Sequence, residues 1–517
     1  MGSSQNPSIV NSSVTFTATV TPAFGGTATG TVTFKDGTTT LGTGALASNV
    51  AAFATAALAL GSHNITAIYG GDGNFTGSTS PVLVQQVNPG PATHFVMTGA
   101  PASATAGTQF NITLTAFDQF GNTATTYAGT VHFSSSDGQA ALPPDSGLIG
   151  GVGTFAVTLK TSGSQTLTAA DTSNSSLSVT ATVHVNPAAT AMLNVALPVA
   201  VTAGASFNIT ITAQDAFNNT TPAYAGTVHF TSSDPLAMLP NNSTLQPGGS
   251  VVFNVTLKTT PTQSITATDT VTASITGTNI STVNPGAVTH YEFTGPTTAT
   301  AGVSFSLRVT AKDAFSNTAT NYGGTVHFTS TDGQAGLPGD STLPSGTKLF
   351  AVTLKTVGNQ TVTVTDTVNA AATAGDTIQV RAAGATHLQL TGPASTTAGL
   401  SFNLTVTALD AFNNTDPNYG GTVHFTSGDA LATLPADATL TNGVGTFNAA
   451  LRSTPSQTLT ATDTVTSTIT GKATVTVAKG ATTTKLVAAF APLMYFGRTE
   501  TLQAQVTVTG GTGTPTG

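Results

Sequence analysis

Two aspartates and an asparagine recur together four times in this chain. The sets are Asp118, Asn122 and Asp171; Asp215, Asn219 and Asp269; Asp313, Asn317 and Asp366; and Asp410, Asn414 and Asp463. Hard oxygen donors suit Ca²⁺, which takes about 6–8 oxygen ligands, and an ion held by such a set would stiffen a junction between domains. The same residue types have another use. An aspartate just after a strand closes an Asx-type turn onto the backbone two residues on. Neither a D-x-D-x-D-G loop nor a G-G-x-G-x-D repeat occurs, so turn chemistry stands beside calcium as the reading of these twelve residues.

Other residue types with chemical potential resolve less well. His132, His229, His327 and His424 share one position, but Val131 and Phe133 on either side send the imidazole outward among Thr and Ser, where a surface role without partners is expected. Lys160, Lys258 and Lys355 raise an internal Lys–Asn isopeptide bond, which Arg452 in the fourth copy cannot form. Glu292 and Glu500 are the only glutamates, and no G-x-S-x-G, H-E-x-x-H or phosphate-loop motif is present. Paired-glutamate glycosidase chemistry is therefore absent. An active site copied four times at one spacing would be unusual, whereas a fold constraint copied four times is expected, and the chain reads as non-enzymatic. Phe120, Phe217, Phe315 and Phe412 are expected to plug the end of their own domain. Tyr127, Tyr224, Tyr322 and Tyr419 are expected to pack beneath a loop with the hydroxyl on backbone.

These residues are positioned by a stretch written four times, from Thr105, Thr202, Thr300 and Thr397. Asp118 and its counterparts step by 97, 98 and 97 residues, which marks an array of one small domain. Within a copy, Phe110, Ile112, Leu114 and Ala116 alternate with Asn111, Thr113 and Thr115, the period of a half-buried strand. Val131 with Phe133, then Phe155, Val157 and Leu159, then Leu167 with Ala169, and finally Leu177 to Val185 continue the pattern. Six to seven strands per copy with no helical period predict an all-β fold, a tandem array of immunoglobulin-like antiparallel sandwiches forming an extended rod.

Composition agrees and excludes several partners. Charged residues are only 7% of the 517, too few for a solvated disordered tract at this apolar content. Net charge is −8 and the 13 basic residues are scattered, so no stripe exists to neutralise nucleic-acid phosphates. With no cysteine, stability must come from sandwich cores. The longest nearly apolar run, Val50 to Leu60, is too short to span a bilayer. The amino terminus lacks a basic region followed by an apolar one and reads as a fragment with an added start.

The expected domains are 3–89, of a first type, then repeats 90–187, 188–285, 286–383 and 384–479. Joints such as VNPAA and VNPGA are short and stiffened by Pro187 and Pro285. Residues 480–517 open a further module of the first type. There Leu502, Ala504 and Val506 match Phe16, Ala18 and Val20, and Pro515-Thr516-Gly517 matches Ala28-Thr29-Gly30. This start is expected to pack poorly or to borrow an edge from a neighbour.

Four motifs, Thr115 to Asn122, Gly129 to Phe133, Phe155 to Thr161 and Gln165 to Asp171, resemble the bacterial immunoglobulin-like repeats of invasin- and intimin-type surface adhesins. The first unit resembles another branch of that superfamily through Asn6-Pro7, VTFTATV, TGTVTFKDG and ITAIYGGDGNF. The resemblance implies a structural or adhesive stalk, secreted or on a bacterial surface, that presents a terminal module to an unknown surface ligand, polysaccharide or protein. It also leaves open lateral or end-to-end self-association. The alternative is a spacer or carbohydrate-binding segment of a secreted polysaccharide-degrading enzyme.

Overall fold

Strands rich in β-branched threonine and valine, with one side chain in two apolar, pair here into facing sheets. The structure, a computed structural model, describes residues 1–487 and 501–509. In the first repeat a three-stranded antiparallel sheet has Gln109–Phe117 at its centre, flanked by His94–Thr98 and Val152–Thr158. The opposing sheet runs in the order Ser103–Thr105, Ser178–Asn186, Gly163–Asp171, Thr130–Ser135, Ser146–Gly147. Ser103–Thr105 lies parallel to its neighbour. Register sets Ile112 opposite Phe155 and Phe133 opposite Ala169. The other three repeats reproduce the same two strand orders.

The core lies between the sheets. Ile112, Leu114, Ala116, Val131, Val157, Leu167, Ala169 and Val183 are wholly buried, as the alternation requires. Each large apolar side chain so buried contributes about 1.5–3 kcal/mol relative to exposure, and these clusters stand in place of disulfides. A phenylalanine pair joins the sheets, Phe133 to Phe155 at 4.7 Å between ring centres, and recurs as Phe230–Phe253, Phe328–Phe350 and Phe425–Phe447.

The first unit is also a sandwich. Gly2–Ser3, Val14–Thr19 and Val50–Thr55 form one sheet. The other carries Ser8–Ile9, Leu83–Asn88, Gly61–Gly71, Thr31–Asp36 and Thr39–Ala45 in order. Asp36-Gly37 closes a tight hairpin between Thr31–Asp36 and Thr39–Ala45, with Gly37 at φ +51°.

Farther on, Thr482–Val487 and Gln503–Val508 pair antiparallel, Leu486 opposite Ala504, with Leu486, Leu502 and Val506 exposed. The expected match at Pro515 to Gly517 lies outside the described residues. Among those described, the one helical turn is the 3-10 segment Pro344–Gly346, and no helix is long and apolar enough to cross a membrane.

Candidate functional site at the domain joints

Strand Gln109–Phe117 ends where its carbonyls and amides must find new partners, and Asp118 supplies them. Its Oδ1 accepts the amides of Phe120 and Asn122, each at 2.9 Å. Its Oδ2 accepts the Gly90 amide of the incoming linker at 2.9 Å and the Asn122 side-chain amide at 3.1 Å. The carboxylate is wholly buried. Burial pushes its pKa up, but the Asn122 side chain and the Gly90, Asn122 and Phe120 amides outweigh it and hold the carboxyl below its ordinary range. Asp215, Asp313 and Asp410 repeat the turn and clamp the amides of Ala188, Gly286 and Ala383.

Beyond the turn, the asparagine reaches the preceding repeat. Asn219 donates its amide to the Lys160 carbonyl and accepts the Ser162 amide, both at 2.7 Å. A side-chain amide here does what a neighbouring strand would do for the backbone. Asn317 does the same to Lys258 and Thr260, and Asn414 to Lys355 and Val357.

Phe217 completes the joint. Its ring lies so close to Gly107 of the preceding repeat that a Cβ there would sit 2.4 Å from ring atoms; Phe315 on Gly204 and Phe412 on Gly302 are equally tight. Lys160, Lys258 and Lys355 each set Nζ 5.7–5.9 Å from the centre of the next repeat's ring, a cation–π contact. These phenylalanines therefore plug the neighbouring domain rather than their own, and the lysines close the joint over them.

Asp137 builds the receiving half of the joint. Its carboxylate accepts the amides of Lys160, Thr161 and Gln139 and the Thr161 hydroxyl at 2.5–3.0 Å. This fixes the segment whose Lys160 carbonyl and Ser162 amide Asn219 engages. Asp234, Asp332 and Asp429 hold Lys258, Lys355 and Arg452 in the same way.

The third member of each set is engaged elsewhere. Asp171 accepts the Tyr127 hydroxyl and the amides of Ser173 and Asn174 and shares no hydrogen bond with Asp118 or Asn122. Asp269, Asp366 and Asp463 pair with Tyr224, Tyr322 and Tyr419. The tyrosine hydroxyl thus finds a carboxylate where backbone was expected. That hydroxyl, against the upward push of burial, holds the Asp171 carboxyl low, and burial with the adjacent carboxylate raises Tyr127. In the third repeat Tyr291 joins, 2.7 Å from the Tyr322 hydroxyl, and is pushed up to about 12, chiefly by burial. Among the described residues, no group of three or more His, Cys, Asp or Glu side chains is placed to hold a metal ion.

The histidines do have partners. His132 bonds Asp145 at 2.7 Å, His229 bonds Asn242, His327 bonds Asp340 and His424 bonds Asp437. All are exposed pairs 13 residues apart, a spacing that strand alternation does not foretell.

The joint before the first repeat is built differently. Asp118 still clamps Gly90, but the Asn122 side chain bonds only Asp118. Phe120 is 49% exposed, beside a cavity of about 190 Å³ lined with it by Ile9, Val10, Asn11, Gly90 and Pro91. The signal for the tighter joints was present in the sequence as the pairing of Gly107 and Lys160 with Phe217 and Asn219, but two of the partners are backbone atoms that no motif displays.

Residues 1–88 match the family model of the bacterial Ig-like domain (group 3). No curated protein sequence matches the chain. Among solved structures, the chain is similar to the Escherichia coli adhesin FdeC at 20% identity, covering 56% of this chain and 98% of that one, with a TM-score of 0.29. It is also similar to invasin, described as a bacterial integrin-binding protein, at 15% identity, 76% and 82% coverage and a TM-score of 0.29. The S-layer protein rSbsC is similar at 17% identity over 91% of this chain and 66% of that one, with a TM-score of 0.21.

Proposed function

Taking as premise that residues 1–88 form a bacterial Ig-like domain, we propose that the chain is a non-catalytic stalk. It belongs to a secreted or cell-surface bacterial protein and spaces or presents a terminal module. The observation that carries this reading is the threefold repetition of one joint, in which an asparagine clamp, a ring in a glycine notch and a lysine over the ring all serve alignment. The buried carboxylates of each repeat are saturated by local donors, and the same arrangement returns four times, which suits a fold constraint rather than turnover. Weakly charged, threonine-rich faces leave little for salt to screen and suit an extracellular fibre.

Small-angle scattering of the chain tests the mechanical half. Five modules of about 40 Å each give a particle on the order of 200 Å long, whereas a compact particle would overturn the stalk. Turnover of polysaccharide or ester substrates by the purified chain would overturn the non-catalytic half.

A further inference from the structure

Each sandwich offers one turn to the module that follows it. In the first repeat it is Thr105 to Thr108, where the Thr108 amide bonds the Thr105 carbonyl and the Ala106 amide bonds Asn186 of the last strand. The first module has the same turn at Ile9 to Ser12. Its Ser12 amide bonds the Ile9 carbonyl, its Val10 amide bonds Asn88, and its short strand lies parallel to the last one, as in the repeat. The third residue of such a turn must take a positive φ, which admits glycine or asparagine. It is Gly107 at +79° in the repeat and Asn11 at +60° in the first module.

This difference limits what can sit on the turn. At Gly107, Gly204 and Gly302 the space of the missing Cβ is filled by the ring of the next repeat's phenylalanine. Asn11 has a side chain in that place, and there Phe120 stays half exposed with an open cavity beside it. Without the ring seated, Asn122 bonds only within its own turn, and no lysine stands over Phe120 among the described residues. We infer that the third residue of this turn sets each joint. Glycine seats the ring and locks neighbouring modules, asparagine excludes it and leaves a hinge, so the first module swivels on a stiff unit of four repeats.

This deepens the stalk reading and rests on it for its use, but uniform stiffness would overturn the hinge alone and leave the stalk standing. The chain has no cysteine, so pairs of introduced cysteines can carry spin labels in the full chain. Thr40→Cys with Thr182→Cys spans the first joint, and Thr182→Cys with Thr282→Cys spans the second; all three sites are exposed and in strands. The distance distribution measured by pulsed electron resonance should be roughly twice as wide across the first joint as across the second. Gly107→Asn should widen the second to match, since asparagine accepts the turn while its Cβ evicts Phe217, and Asn11→Gly should narrow the first. Phe217→Ala empties the notch without touching the turn and should also widen the second joint, which keeps the test valid if Gly107→Asn disturbs the repeat. Equal native widths, or a second joint that stays narrow in Phe217→Ala, would overturn the proposal.

Discussion

The loop Asp118 to Asn122 (DQFGN) and the loop Asp215 to Asn219 (DAFNN) make the same turn, yet only the second grips its neighbour. Both close on a buried aspartate and both clamp the incoming linker. Asn219 is buried and bonded across the joint, whereas Asn122 turns back on Asp118 alone. What separates them is the partner, because the preceding module either presents a glycine notch and a lysine-bearing segment or it does not. A pole is thus two devices in one: a turn that every repeat needs in order to fold, and a grip that works only against a like neighbour.

That division can be broken by mutation, and the turn should give the largest effect. Asp215→Ala strips the acceptor from the amides of Ala188, Phe217 and Asn219. At about 1–3 kcal/mol for each buried group left unpaired, the repeat should lose about 3 kcal/mol or more. Asp118→Ala should cost the first repeat as much, measured by urea unfolding with hydrogen exchange resolved by repeat. A much milder loss at Asp118 would mean that the turn depends on the joint after all.

The grip should give the next effect, and here the two loops must part. Asn219→Ala removes two hydrogen bonds between repeats and should cost about 1–2 kcal/mol of joint stability, read as faster exchange of the Ser162 amide. Asn122→Ala should leave exchange in residues 1–89 unchanged. Equal effects would erase the distinction between the two joints.

How much of this was legible in the sequence depends on which atoms do the work. The alternation of Phe110 to Ala116 shows the strand and its buried face, and Asp118 shows the turn, because both are local and period or spacing displays them. Asn219 on the Lys160 carbonyl is not legible in that way, since one partner is backbone in another repeat. Asp137 holds the Lys160–Thr161 segment at the end of its repeat away from Asp118, and that end is the near side of the next joint. Tyr127 and Asp171 lie 44 residues apart on elements that only the folded sheet brings together.

A smaller difference separates the first module from the repeats in its response to pH. His63 is partly buried against Asp36 at 2.6 Å and bonds the Ala59 carbonyl. Burial lowers its pKa, but Asp36 and that carbonyl outweigh it and raise the value above 6.5. A raised folded pKa makes the contribution complete below about 6.5 and lost as pH rises through the folded value. The first module should therefore weaken from pH 6 to 8, by about 1 kcal/mol or less for this single partly buried pair, and His63→Gln should flatten the profile. At the acid end both kinds of module respond, the repeats through Asp118 and Asp215 and the first module through Asp72, whose carboxyl the Thr29 and Asn74 amides hold low; all three lie below the usual carboxylate range. Their contribution is present above about pH 4 and is lost as pH falls through the lowered folded values.

The smallest expected effect concerns calcium, and it bears on whether the two joints stay different. An ion at Asp118, Asn122 and Asp171 would give the first joint a tie of its own and erase the contrast with the second. To ligate it, Asp118 would have to release the amides of Gly90, Phe120 and Asn122, and Asp171 would have to release Tyr127. An ion present at ten times its Kd would add about 1.4 kcal/mol, several degrees in the melting midpoint of a domain this size. With those hydrogen bonds already made, the midpoint should be the same in EDTA and in millimolar Ca²⁺, and the label distribution across the first joint should not narrow. A calcium-dependent rise that Asp118→Asn abolishes would reverse this, turning the aspartate from a clamp on the linker into a ligand and the first joint into one locked by an ion.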